Sequence, residues 1–355
     1  MPDPDALKPS RPTIAVAGTQ SSSLTGGLLR LRVREDVHGL ASCEAEFGNW
    51  GPNGDSSDFL FFDRRQLDFG KKLELKLGDG VLFSGRITGL EGRYPQGSSP
   101  SVVVLAEDRF QDLRMTRRAR TFADVSDADV VAQIASEHGL TPDVGISGPK
   151  HKVLAQLNQS DLAFLRERAR ALDAELWMTD SKLSVKPRSS RGGSPITLTY
   201  GKELREFRVL ADLAGQATSL EVTGWDVAGK TGLKERADGA VVGGELNGGE
   251  SGPSILSSAF GTRKDTLANA VPQTSDEARA RAEALLKRRA RRFLVGHGTA
   301  EAAPGLRVGV TVRLAGLGPL FVGDFYVAAV SHLFDGAQGL RTELEVERPG
   351  LGRPR

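Results

Sequence analysis

Cysteine and long apolar runs are both scarce in this 355-residue chain. The single cysteine, Cys43, can form no internal disulfide and no paired-cysteine metal site, and a lone cysteine is usually buried as a small apolar side chain. No stretch of about 18 uncharged apolar residues occurs, so we expect no membrane-spanning helix. Residues 1–5 lack the basic and apolar segments of a signal peptide, so we expect none.

An excess of charge of one sign is also missing. Lys+Arg 47 against Asp+Glu 45 leaves a net charge of +2, whereas a chain that binds nucleic acid over its whole surface would be strongly basic. The strongest local exception is the basic run at 287–292, in a helix predicted at 275–293 with Ser275 as its cap and an apolar stripe along one side. Two interpretations of this run stay open: a solvated or subunit-facing surface, and a nucleic-acid site.

Compact catalytic and metal-binding motifs are missing as well. The five histidines show no HExxH or HxH spacing, and the chain has neither a GxSxG nucleophile elbow nor a P-loop. We therefore predict a protein that is not an enzyme, with no catalytic, cofactor-binding or metal-binding residues and no cofactor. A pair of catalytic carboxylates that meets only in the folded chain stays open.

Glycine, by contrast, is abundant, and its 42 residues often lie between short alternating runs. Apolar residues alternate with arginines over 29–34, which predicts a strand with one apolar and one basic face. Leucines alternate with charged residues over 72–77, and further strands are predicted at 82–88 and 102–105. Several antiparallel strands joined by hairpins are typical of a small barrel or sandwich.

Helical signals follow these strands. Ser126 is predicted as an N-cap with Asp129 completing a capping box, and a second helix is predicted to begin at Ser160. Strands predicted at 174–178 and 182–186 complete an α+β segment.

Two segments predict irregular structure. Residues 1–12 contain four prolines and are predicted to form a flexible arm. The glycine-rich stretch 239–252 is predicted to be a mobile loop.

An octapeptide pattern occurs twice, as GDGVLFSG at 78–85 and GLGPLFVG at 316–323. In both copies the glycines permit a turn after an alternating strand, and Leu-Phe is predicted to begin the next strand. A dinucleotide-binding loop would need a helix after the glycines, so that interpretation is disfavoured. The repeat predicts two related β-barrels. Its candidate packing and assembly residues are Leu82, Phe83, Gly85, Leu320, Phe321 and Gly323.

Taken in order over about 28–348, these segments resemble the late control protein D family of phage tails, which is related to the hub part of VgrG proteins. The resemblance is carried by LFSGRITGLEG at 82–92, LAEDRFQDL at 105–113, RTFADVSDADVVAQIASEHGL at 120–140, LAQLNQSDLAFLRERARALDAELWM at 154–178, LEVTGWDVAGK at 220–230 and LFVGDFYVAAVSHLFDGAQGLRTELEVER at 320–348.

This resemblance implies a mainly β protein with α+β insertions. Two related antiparallel β-barrel domains and a middle α+β domain would assemble as a pseudo-sixfold trimeric ring. The implied boundaries are a flexible N-terminal arm at 1–13, a first barrel at 14–119, a middle domain at 120–195, a second barrel at 196–230 and 294–348, an insertion with a glycine-rich loop and basic helix at 231–293, and a tail at 349–355.

The function implied by the resemblance is a structural hub of a contractile phage tail or related injection system. The homotrimer would connect a hexameric inner tube to a trimeric spike, with other baseplate components as neighbours and translocated cargo in the lumen. VgrG chains usually continue into a spike, so we expect a separately encoded spike here. The chain would not insert into a membrane and would assemble in the bacterial cytoplasm before joining the particle. Outward-facing residues expected to set the charge of the lumen are Arg30, Arg32, Arg34, Lys72 and Lys76.

Two rival functions stay open, a tail-associated cell-wall hydrolase and a baseplate adhesin. An adhesin would present tryptophans on its surface to stack on sugars. The chain has three, Trp50, Trp177 and Trp225, and the last two lie in patterns typical of a core.

Overall fold

The computed structural model describes residues 11–53, 55–227, 229–246, 248–268 and 271–352. Residues 1–10 of the predicted N-terminal arm therefore lie outside the described residues, as does the end of the predicted tail. Within the described part of the arm, the Arg11 guanidinium donates hydrogen bonds to the carbonyls of Thr25 and Gly26, both at 2.9 Å. The first strand begins two residues later, at Thr13.

The elements of the first third are β1 (Thr13–Val16), β2 (Thr19–Gln20), α1 (Ser22–Gly27), β3 (Leu28–Asp36), β4 (Ser42–Gly48), β5 (Trp50–Asn53), β6 (Ser56–Phe59), β7 (Lys72–Leu77), β8 (Gly80–Arg93) and β9 (Ser101–Glu107). Next come α2 (Phe110–Arg114), β10 (Arg117–Val125), α3 (Asp127–Glu137), β11 (Thr141–Val144), β12 (His151–Ser160), α4 (Asp161–Ala171), β13 (Ala174–Thr179) and β14 (Lys182–Pro187).

The remaining elements are β15 (Ile196–Thr199), β16 (Leu204–Ala211), β17 (Ser219–Asp226), β18 (Thr231–Asp238), β19 (Glu250–Ser251), α5 (Gly252–Phe260), β20 (Lys264–Leu267), α6 (Ser275–Arg291), β21 (Leu294–Glu301), β22 (Thr311–Ala315), α7 (Gly318–Phe321), β23 (Gly323–Asp335), β24 (Gly339–Arg348) and β25 (Gly350–Leu351), with 3₁₀ turns at Arg188–Ser190 and Gly239–Glu245. The architecture is mainly β with α+β insertions, as the sequence predicts. No helix in the described part of the chain is long and apolar enough to cross a membrane.

One 13-stranded sheet dominates the molecule, and its strand order reveals two equivalent halves. The first β unit contributes the order β7-β8-β9-β4-β3, and the second β unit contributes β22-β23-β24-β21-β16. Antiparallel pairing of β3 with β23, from Arg30 opposite Asp335 to Asp36 opposite Ala329, joins the two units edge to edge. The repeat thus corresponds to two related β units, and the sheet they share was not predicted.

Each unit packs its inward-facing side chains into its own core. The first core contains the predicted inward residues Leu31 and Val33, and it also takes in Phe334 and Leu340 from the second unit. The alternation predicted over 29–34 is wrong at Leu29, which is exposed while Leu28 is buried. The reason is a bulge in the β3–β4 ladder between Leu28 and Arg30, which shifts the side-chain alternation by one residue.

The middle α+β unit has a separate core between α3, α4 and the sheet β11-β14-β13. The predicted capping box of α3 is confirmed, with the Ser126 hydroxyl accepting from the Asp129 amide and the Asp129 carboxylate accepting from Ser126. The predicted start of α4 is also confirmed, since Ser160 accepts from the Ala163 amide.

The insertion differs from the predictions in three places. The cap of α6 is Thr274 rather than Ser275, because the Thr274 side chain accepts from the Glu277 amide. The stretch 239–252 is not one irregular loop: it contains the 3₁₀ turn, β19 and the start of α5. Strand β17, which the sequence assigned with the second barrel, pairs instead with β18 and β20 and packs under α6.

The second copy of the repeated octapeptide also departs from its predicted structure. Leu320 and Phe321 belong to the helical turn α7, whereas Leu82 and Phe83 lie in β8. Pro319 accounts for the difference, because proline has no amide to donate to a sheet and its fixed φ suits the first turn of a helix. The strand in the second copy starts only at Gly323.

The junction between the two units contains a buried histidine. His332 of β23 lies opposite Val33 of β3 and is completely buried. Its Nδ1 is 3.1 Å from the Thr342 hydroxyl, and Nε2 has no hydrogen-bond partner among the described residues. Burial, and secondarily the positive charge of Arg307, lowers the pKa of His332 to about 4.

We predict that His332 makes the fold sensitive to acid. Its contribution is fully present above the ordinary pKa of 6.5 and is lost as the pH falls toward about 4, because only the unfolded chain binds the proton in that range. Between about pH 7 and pH 4.5 this should lower the free energy of unfolding of the wild type relative to His332→Gln by about 2 kcal/mol. Urea unfolding of both proteins at the two pH values measures the difference.

The comparison with the variant is needed because burial raises the pKa of Asp108 to about 6. Protonation of that carboxyl stabilises the fold as the pH falls through the same range, in the wild type and in the variant alike. A measurement on the wild type without the variant would therefore mix this gain with the loss that His332 causes. An equal change in the two proteins would show that His332 does not titrate as described.

Candidate assembly surfaces

The outer face of the large sheet carries charges of both signs. Arg30, Arg32 and Arg34 of β3 are exposed on this face, as predicted. Arg30 lies opposite Glu46 and Arg32 opposite Glu44, so a column of carboxylates runs beside the column of guanidiniums. Two open cavities of about 700 and 540 Å³ lie along this face. The face is therefore a mixed-charge surface and not a basic track.

The predicted lumen residues Lys72 and Lys76 are less available than the arginines. Both ammonium groups contact Glu74, at 3.2 and 2.8 Å. The hydrogen bond from Lys76, followed by that from Lys72, holds the pKa of Glu74 below its ordinary value. Part of their charge is thus balanced within β7 itself.

An exposed aromatic cluster is formed by the β5–β6 hairpin, the residues that follow it and the end of β8. Phe59 is at its centre, with ring centroids 5.2 Å from Trp50, 5.0 Å from Phe62 and 6.2 Å from Tyr94. Exposed aromatic patches of this kind are typical of interaction surfaces.

The prediction that Trp225 belongs to a core is wrong, since 54% of it is exposed. Leu220 and Val222 point into the core beneath β17, and Trp225, an odd number of residues further on, points to the opposite face. Trp177 is half-buried, with the Arg191 guanidinium over its ring.

Buried ion clusters hold the middle unit together. Asp127 at the start of α3 accepts a hydrogen bond from Arg168 Nε at 2.5 Å and lies 3.1 Å from His151 Nε2. Burial alone would raise the pKa of Asp127, but the hydrogen bonds from His151 and Arg168 outweigh it and lower the pKa. Asp161 at the start of α4 contacts Arg120 in the same way, at 2.8 Å. The Ser-Asp pairs at the starts of α3 and α4 are the sequence features from which these clusters could have been predicted.

The basic run at 287–292 is engaged within the chain. Arg291 is buried and binds Asp173 and Glu245, which joins α6 to the middle unit. Burial alone would lower the pKa of Arg291, but the hydrogen bonds to Glu245 and Asp173 raise it. Arg289 binds Asp265 and Arg292 binds Glu345. These contacts leave little free positive charge for a nucleic-acid site, and a subunit-facing role of the run stays a prediction.

The six predicted packing and assembly residues are not equivalent. Leu82 and Phe83 are consecutive yet both buried, because a bulge opposite Leu75 turns both toward the first core. A side chain at Gly85 would place its Cβ 2.2 Å from the Glu107 carbonyl oxygen, so close strand pairing requires glycine there.

In the second copy these positions lie near the surface. Leu320 is 43% exposed, and Phe321 is half-buried against the second core. Gly323 has a φ of 132°, which favours glycine. The three residues of the first copy and the three of the second thus lie in different environments. Their part in assembly stays a prediction. Among the described residues, no group of three or more His, Cys, Asp or Glu side chains could hold a metal ion.

A known family matches most of this chain. The model of the Alg8 N-terminal domain matches residues 9–335, most of the chain. The chain belongs to the Alg8 N-terminal domain family. No curated protein sequence matches this chain.

Solved structures share the fold of this chain over nearly its whole length. The 43 kDa tail protein of prophage MuSo2 from Shewanella oneidensis aligns with a TM-score of 0.72 at 14% identity, covering 96% of this chain and 98% of that one. A tail protein from Neisseria meningitidis aligns with a TM-score of 0.68 at 13% identity, covering 96% and 98%.

A third structure with this fold is the Escherichia coli c3393 protein, a component of the type VI secretion system with structural similarity to the T4 bacteriophage tail proteins gp27 and gp5. It aligns with a TM-score of 0.59 at 13% identity, covering 96% of this chain and 79% of that one. The chain therefore has the fold of these phage tail and type VI secretion proteins.

The unequal burial of the repeat predicts unequal effects of one substitution. Leu82→Ala should lower the free energy of unfolding by about 2–5 kcal/mol, because it leaves a cavity in the first core. Leu320→Ala, at the matched position of the second copy, should change it by less than about 0.5 kcal/mol. Urea denaturation of both variants measures the difference. Similar losses in the two would mean that the copies share one environment.

Proposed function

We propose that the chain is the structural hub of a contractile phage tail or related injection system, akin to the late control protein D family. Three copies would form a ring that seats a separately encoded trimeric spike on a hexameric inner tube. Other baseplate proteins would surround it. The role is mechanical and needs no catalytic residue.

The observation that carries this proposal is the pairing of two equivalent β units in one sheet. Each unit presents the same strand order, and β3 joins the units edge to edge with β23. Three copies would therefore present six similar units around a threefold axis. A ring of that kind matches a sixfold tube on one side and a threefold spike on the other.

The structural relatives support the same proposal. The fold is shared with tail proteins over 96% of this chain. The type VI secretion component with similarity to gp27 and gp5 has the same fold over the same share of this chain. These likenesses concern the fold, and the hub role is our inference from it.

The proposal assigns a place to each segment. The first barrel at 14–119 and the second at 196–230 with 294–348, apart from β17, would form the ring. The middle domain at 120–195 and the insertion at 231–293 would lie on the spike side or at the periphery. The mixed-charge outer face would line the lumen, so cargo would pass a surface with no strong net attraction for nucleic acid.

A baseplate adhesin is the second candidate, because Trp50 and Trp225 are both exposed. Stacking of these indoles on sugar rings is the chemistry it would use. Binding to bacterial surface polysaccharide that is lost in Trp50→Ala and Trp225→Ala would favour the adhesin over the hub.

The hub proposal predicts a trimer in solution. Light scattering after size-exclusion chromatography should give a mass of about 114 kDa, three times the 37.9 kDa of one chain. If the purified chain is smaller, the measurement is repeated with the co-expressed spike. A mass of 37.9 kDa in both preparations would contradict the proposal.

A further inference from the structure

The large sheet has two unpaired stretches of strand edge. At one end of the sheet, β16 pairs with β21 alone. The second stretch lies within the sheet, where β7 pairs with β8 only as far as Arg86 and residues 89–93 pair with β9 alone. No strand of the described chain lies against either edge. Unpaired edges of this kind are templates for pairing with another chain.

The pairing of β3 with β23 inside the chain indicates which strands could cover these edges. In the two equivalent strand orders, β16 occupies the place of β3, and β8 occupies the place of β23. The chain pairs β3 with β23. A contact between β16 of one copy and β8 of the next would repeat that pairing with the equivalent strands.

Matching bulges fix the register of the equivalence. The ladders of β3 and β16 shift at corresponding points, and so do those of β8 and β23. The shifts lie at Leu28/Arg30, Leu204/Glu206, Ile87/Gly89 and Val327/Ala329. Aligning them equates Arg34 with Leu210 and Ser331 with Glu91. Because Arg34 lies opposite Ser331, Leu210 of one copy is expected opposite Glu91 of the next.

The same alignment explains why Tyr94 is exposed. Phe334 lies opposite Leu31 in the internal junction and is buried in the first core. The equivalent residues are Tyr94 and Phe207. Tyr94 is 67% exposed in the single chain, whereas Phe207 packs partly into the second core. Tyr94 is thus an exposed aromatic side chain at the position where the internal junction buries Phe334.

Charged side chains of the two edges face each other in this register. Arg208, on the outer face of β16, is exposed and has no carboxylate partner among the described residues. At the other edge Arg93 contacts three carboxylates, those of Glu44, Glu46 and Glu91. In this register Arg208 lies opposite Arg93, because Arg32 lies opposite Leu333 in the internal junction. The carboxylates around Arg93 offset the repulsion between the two guanidiniums.

We propose that residues 89–94 of one copy pair in antiparallel fashion with β16 of the next copy, with Tyr94 packing against Phe207. The occupant of each edge is a second copy of this chain. The two surfaces differ, so the contact is head-to-tail and closes into a ring after three copies. This inference rests on the proposed trimer and assigns its interface.

A cysteine pair tests the register. In Leu210→Cys/Glu91→Cys the two residues are exposed in the single chain, so the substitutions should leave the fold intact. Opposite residues of an antiparallel pair have Cα atoms about 4.5–5.5 Å apart, within the range of a disulfide. Mild oxidation should yield covalent dimers and trimers but no larger species on a non-reducing gel. Leu210→Cys/Trp225→Cys, with its second cysteine outside the interface, is the control and should stay monomeric on the gel.

Substitution of the aromatic residue tests the packing. Tyr94→Ser should weaken self-association by about 30-fold or more, as expected for an interface hot spot, while its circular dichroism spectrum stays that of the wild type. Trp225→Ser is the matched control, exposed but outside the interface, and should associate like the wild type. Analytical ultracentrifugation over a concentration series measures both.

The outcomes separate this inference from the proposed function. A trimeric wild type with no cross-link in the cysteine pair and no effect of Tyr94→Ser would overturn the interface and leave the hub standing. The interface is likewise overturned, and the hub left standing, if Tyr94→Ser stays trimeric but loses binding on a glycan array. A wild type that is monomeric alone and with the spike would remove the hub, and the interface with it.

Discussion

The antiparallel pairing of β3 with β23 is the contact on which the rest of the structure depends. It merges two β units that would each expose an open strand edge, and open edges pair indiscriminately unless they are covered. The pairing also carries Phe334 into the first core, so the two units share packing as well as main-chain hydrogen bonds. It leaves the merged sheet with two unpaired stretches of strand edge, and the need to cover them connects the fold to a ring.

Much of the fold follows from local signals in the sequence. Alternation with a period of two identifies β3 and β7, and serine side chains mark the starts of α3 and α4. These signals act over a few residues, because side-chain alternation and helix capping depend only on nearby residues. The repeated octapeptide indicated two related β units, although its second copy forms the helical turn α7 where the first lies in β8.

Other features could not be read from the sequence, for physical reasons. Pairing of β3 with β23 joins residues about 300 positions apart, and no local pattern encodes which distant edge a strand will meet. Bulges move Leu29 to the surface and turn both Leu82 and Phe83 inward, which a strict alternation cannot anticipate. The basic run of α6 looked free because its partners, such as Asp173 and Glu245, lie more than 40 residues away.

The central claim is that two joined units per chain produce six similar units in the assembly. Electron microscopy of the purified trimer, or of the trimer with its spike, tests it most directly. Class averages viewed along the axis should show a ring of six similar lobes that obeys threefold symmetry. A compact trimer with three lobes and no central opening, or an open filament, would contradict the account.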